Sequence, residues 1–93
     1  MFNIERISNV LGGSRTLKQR VRTLNDLHEI VAEGLPKTSV RALLTHLSEH
    51  YLVELQPLRD FIAPPATLKR RRTRLSPAES QRLERLARIV AMT

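Results

Sequence analysis

Between Thr38 and Tyr51 the apolar residues Val40, Leu43, Leu44, Leu47 and Tyr51 fall at the intervals i, i+3, i+4 and i+7. Only a 3.6-residue period gathers such residues onto one face, so the stretch predicts a buried amphipathic helix, with Thr38 as its cap. No segment shows the period-two alternation of a half-buried strand. A chain built around this helix therefore folds as an all-α bundle.

The flanking segments supply further helices. Ile4, Ile7, Val10 and Leu11 predict a short N-terminal helix, stopped at Gly12-Gly13 by the left-handed backbone that glycine adopts readily. Ser14 to Arg22 offers only Leu17 and Val21 as apolar anchors and reads as a linker or a weak helical arm. Thr23 or Asn25 caps the next helix, with Asp26 in its first turn and Leu24, Leu27, Ile30 and Val31 inward. Gly34-Leu35-Pro36 ends it. This divides the chain into an N-terminal helix and basic arm, residues 1–22, and a domain over residues 23–93.

Leu52 to Leu55 fits a helix end, a turn or a short extended piece. Pro57 then suits the first turn of a helix with Leu58, Phe61 and Ile62 on its inner side. After a break at Ala63-Pro64-Pro65, a short helix starts near Pro65, because a first-turn N–H has no helical partner to lose. Ser76-Pro77-Ala78-Glu79 is a capping box, in which Ser76 accepts from the Glu79 amide and the glutamate reaches back. The helix it opens carries Leu83, Leu86, Ala87 and Val90 on one face and runs to Thr93 without a stop signal, as a fragment ending within an element would. The predicted core is Leu43, Leu44, Leu47, Leu58, Phe61, Leu68, Leu83 and Leu86.

Charge points to function. The net charge is +7, but Met1 to Ala66 holds eight basic against seven acidic residues, whereas Thr67 to Thr93 holds eight against two. Lys69, Arg70, Arg71, Arg72 and Arg74 crowd into eight positions with no acid among them. Such a density fits a polyanionic partner. Two short helices separated by about three residues, the second basic, follow the plan of a helix-turn-helix reader of double-stranded DNA. With Leu68 inward, Arg70 lies on the far side of its helix, flanked by Thr67 and Lys69, and Arg71 and Arg72 lie nearer the protein. Thr67, Lys69 and Arg70 are thus candidates for base edges, and Arg71, Arg72 and Arg74 for phosphates. Two other readings compete: a solvated, self-repelling loop, and a helical interaction module whose basic face docks an acidic protein or an anionic membrane.

Other chemistry finds little support. The sequence holds no cysteine, and no apolar run approaches a membrane span or a secretory signal. The expected setting is the cytoplasm, associated with the nucleoid. His46 and His50 stand one turn apart without a third ligand at a familiar spacing. No serine has a nucleophile context, and Asp60 with Glu54 shows no acid–base arrangement. Neither an enzyme nor a metal or cofactor site is predicted. Phe2, Tyr51 and Phe61 are too sparse for a base-stacking platform.

Leu27-His28-Glu29-Ile30-Val31-Ala32-Glu33-Gly34-Leu35-Pro36, then Thr67-Leu68-Lys69-Arg70-Arg71, and above all the run from Arg74-Leu75-Ser76-Pro77 to Leu86-Ala87-Arg88, resemble the N-terminal half of Xre/MbcA/ParS-type antitoxins. These are the partners of RES-domain toxins. The resemblance covers about Leu24 to Ile89. It implies a Cro- or lambda-repressor-like bundle and a homodimeric, operator-binding repressor of its own toxin–antitoxin operon. It also implies a toxin-binding C-terminal domain that this chain does not contain. Where the family turn reads Gly-Ile-Ser-Pro-Arg, this chain has Ile62-Ala63-Pro64-Pro65-Ala66.

Overall fold

The computed structural model describes residues 3–92, and the described residues are all-α, as the periodicity predicts. In chain order they form α1 (Ile4–Val10), α2 (Gly13–Leu17), α3 (Leu24–Glu33), α4 (Thr38–His50), α5 (Leu55–Ile62), α6 (Pro65–Arg70) and α7 (Pro77–Met92). The last helix is followed to Met92, and Thr93 lies outside the described residues.

Local chemistry sets most of the helix starts. Asn3 accepts from the Arg6 amide at 3.1 Å and caps α1. Thr23, not Asn25, caps α3: its hydroxyl accepts from the Asp26 amide at 3.1 Å, and the Asp26 carboxylate accepts from the amides of Thr23 and Arg22. Those donors, Arg22's first, hold the Asp26 carboxyl below the usual carboxylate range. Thr38 departs from expectation. It is the first residue of α4, whose N-cap is Lys37, and no side chain caps the helix. A tight backbone turn does the work instead, the Ser39 amide donating to Pro36 O and the Val40 amide to Lys37 O.

The long α7 is the spine of the bundle, packing against α1, α3, α4 and α5. It buries Leu83, Ala87 and Ala91 against Ile7, Val10 and Leu11 of the N-terminal segment, Leu27 and Ile30 of α3, and Val40, Leu43 and Leu47 of α4. Each fully buried leucine or isoleucine contributes about 1.5–3 kcal/mol. The arm before α3 joins this core too. Lys18 takes the left-handed conformation, with φ 61°, and Leu17 and Val21 are buried in the same cluster.

Of the eight residues predicted for the core, Leu43, Leu47, Leu68 and Leu83 are buried, and Leu44, Leu58 and Leu86 are half-buried against it. Phe61 is not in the core; it is 46% exposed. Because α5 begins at Leu55, its inward stripe runs Leu55, Leu58, Ile62, and Phe61 falls beside it. Tyr51 and Leu24 are also exposed. Tyr51 has left the helix, its backbone extended at φ −140° and ψ 148°, so the helical register that placed it inward ends at His50.

Two backbone bonds join distant segments. The Leu75 amide donates to Leu35 O at 2.9 Å and the Lys37 amide to Thr73 O at 2.8 Å, on either side of an isolated antiparallel bridge between Pro36 and Arg74. Gly34 makes this approach possible. Its φ is +105°, and a Cβ there would lie 2.3 Å from Leu75 O. The neighbouring Leu35 amide, buried, donates to Ser80 Oγ at 2.7 Å.

Candidate nucleic-acid interface

Only Ala63 and Pro64 lie between α5 and α6, both with extended ψ, which turns the chain sharply. The end of α5 is pinned from outside, since Arg82 Nε donates to Ile62 O at 3.0 Å. A helix of six residues does not hold itself together in water. Three things hold α6: Pro65 at its first position, Leu68 buried beneath it, and the Leu68 amide bonded to Pro64 O.

The six predicted contact residues divide into two sets. Lys69, Arg70 and Arg72 are exposed, and none of them makes an ion pair among the described residues. Thr67 is half-buried, and its hydroxyl accepts from Arg70 Nη2 at 3.3 Å. The other two, half-buried Arg71 and exposed Arg74, also bond to their own chain. Arg71, at the extended end of α6, grips Glu79 with two parallel hydrogen bonds of 3.0 Å. Arg74 donates to Gly34 O at 3.1 Å and stands 4.0 Å from the Glu33 carboxylate. The run has no acid of its own, but the fold brings two acids to it. Arg71 thereby anchors its end of α6 through Nε and Nη2, while its Nη1 group makes no bond to Glu79.

Glu79 is buried, and its carboxyl is held below the usual carboxylate range. The Arg71 guanidinium is the main cause; burial opposes it, and the amide and hydroxyl of Ser76 assist. Glu79 in turn raises the Arg71 pKa. The capping box forms as the sequence predicts, with the Ser76 amide donating to Glu79 Oε1 at 2.8 Å and the Glu79 amide to Ser76 Oγ at 3.2 Å.

Sequence reasoning missed three further cations near this face. Lys37, Arg41 and Arg59 stand with Lys69 around a groove of about 690 Å³ between α4, α5 and α6. They are scattered singly along the chain, so no local run announces them. Elsewhere, the rings of His46 and His50 lie 4.5 Å apart. No group of three or more potential ligands gathers into a metal site among the described residues. No helix among them is long and apolar enough to cross a membrane.

What this arrangement offers chemically is a short helix, supported from below and behind, presenting cationic and hydroxyl donors outward. Such donors pair with phosphate oxygens and with the acceptor atoms of guanine. No curated protein and no solved structure matches the chain. A family model does: the antitoxin Xre-like helix-turn-helix domain matches residues 26–88, which takes in α4, α5 and α6, most of α3, and most of α7. The chain belongs to that family, a DNA-binding domain of antitoxin type.

Proposed function

We propose that this chain binds operator DNA as a homodimer and represses the toxin–antitoxin operon that encodes it. The observation that carries the reading is the family match over residues 26–88, together with Lys69, Arg70 and Arg72 on and just beyond α6, exposed and without an ion pair among the described residues. In this reading α6 enters the major groove. Thr67, Lys69 and Arg70 face base edges, and Arg72 neutralises phosphate. Arg71 and Arg74 act one step back, holding the C-terminal end of α6 against α7 and against the link between α3 and α4. Two copies, spaced by one turn of DNA, would read a palindrome that one short helix reads weakly. A RES-type toxin would be neutralised by the antitoxin through a C-terminal domain outside residues 1–93.

The test is a gel-shift titration against the DNA upstream of the protein's own gene, with random duplex as competitor. A complex that survives a large excess of random duplex supports the reading. Equal affinity for any duplex overturns it.

A further inference from the structure

The groove between α4, α5 and α6 combines two properties that duplex contact does not use together. Its floor is apolar, with Val40, Leu44, Leu55 and Leu68 lining it. Leu44 and Leu55 are only half-buried there, and apolar area left in water costs about 25 cal/mol per Å². Its rim is cationic: Lys37 and Arg41 stand at and near the start of α4, Arg59 on α5 and Lys69 on α6, and no carboxylate among the described residues lines it. The Lys37 ammonium donates to a carbonyl, Arg71 O at 3.2 Å. Arg41, Arg59 and Lys69 make no ion pair among the described residues. A phosphodiester strand could meet this rim but has nothing to lay on a floor of leucines. An amphipathic helix satisfies both, with apolar side chains at i, i+3, i+4 and i+7 in the floor and carboxylates on its flanks against the rim.

We propose that the groove docks an acidic amphipathic helix of a partner protein, and that the docked helix excludes duplex DNA. The exclusion follows from Lys69, which borders the groove and also stands on the exposed side of α6. The groove's volume lies within the range of about 300–1,000 Å³ that takes compact ligands, enough for the apolar side chains of two helical turns. Exclusion rests on the DNA-binding reading above; docking does not.

The experiment is an NMR titration of the isotopically labelled chain with a synthetic fifteen-residue peptide, leucines at i, i+3, i+4 and i+7 and glutamates on both flanks. A scramble of the same composition, a version with lysine for glutamate, anionic vesicles of phosphatidylglycerol and random duplex DNA run in parallel. Among the peptides and vesicles, only the acidic peptide should shift the amides of Val40, Arg41, Leu44 and Leu55. Arg41→Glu with Arg59→Glu, both at exposed sites, should weaken it by about tenfold or more without lowering the melting temperature. A labelled duplex should be released as the peptide saturates.

Docking is overturned if the scramble binds equally, if the double variant binds like the parent, or if vesicles shift the same groove amides. It is also overturned if those amides move with protein concentration alone, since a second copy would then be the occupant. A peptide that fills the groove and leaves the duplex bound overturns the exclusion. Failure to bind any duplex overturns the DNA reading, while the peptide titration still decides the docking.

Discussion

Arg71 holds both carboxylate oxygens of Glu79, Nε to Oε1 and Nη2 to Oε2, each at 3.0 Å, while Oε1 also accepts from the Ser76 amide. One side chain thereby starts α7 and fixes the end of α6. Glu79→Gln keeps the shape and removes the charge. With Arg71 partly exposed, the expected loss is about 1–2 kcal/mol, or roughly 5–10 °C in melting temperature for a chain of this size. Circular dichroism melts check it, and a parental melting temperature would show that the pair adds nothing net to stability.

The same pair fixes a pH dependence. The folded pKa of Glu79 lies below its unfolded value, so between the two the unfolded chain binds more protons and stability rises with pH. The contribution is complete above the unfolded carboxyl's value of about 4.3 and is lost as pH falls through the lower, folded value. Asp26 adds an effect of the same sign. Urea midpoints of the parent and Glu79→Gln should therefore differ at neutral pH and converge below about pH 4. A gap that persists undiminished to pH 2 contradicts the assignment.

Arginines one and two positions apart should behave differently on DNA. Arg70→Ala should relax sequence preference at about one base pair. Arg72→Ala should weaken all duplexes alike and reduce the salt slope by about one unit. Arg71→Ala should lower the melting temperature, and its effect on binding should follow from that loss of support. Fluorescence anisotropy on specific and random duplexes across a salt series separates these outcomes. Parental behaviour from both Arg70→Ala and Arg72→Ala would remove α6 from the interface.

Gly34→Ala tests the backbone junction. The added Cβ meets Leu75 O at 2.3 Å, in a conformation with φ of +105°. The loss should exceed about 1 kcal/mol, and hydrogen exchange should quicken at the Lys37 and Leu75 amides, which span the junction. Unchanged exchange there would mean the backbone accommodates the methyl group.

Much of this architecture was legible because it is written locally. The Ser76-Pro77-Ala78-Glu79 box and the stop at Gly34 name their own positions, and Pro65 marks the start of α6, since caps and prolines act within one turn of themselves. The face of α5 differs from expectation by one residue: the sequence expectation puts Leu58, Phe61 and Ile62 inward, whereas the helix starts at Leu55 and its stripe is Leu55, Leu58 and Ile62. The site was harder to read for a different reason. That Arg71 meets Glu79, and that Arg74 meets Gly34, depends on the chain folding back between α6 and α7, which no spacing rule encodes. Lys37, Arg41 and Arg59 meet Lys69 only in three dimensions, so charge density along the chain drew attention to one wall of the groove and missed the other two.

The paired backbone bonds, Leu75 to Leu35 and Lys37 to Thr73, bear on how such a domain lets go. Rising ionic strength loosens a grip on a polyanion by shielding side-chain charge, but it leaves bonds between uncharged peptide groups nearly untouched. Detachment therefore need not slacken the mounting behind α6. The domain can leave one polyanion with α6 held at the angle it will bring to the next.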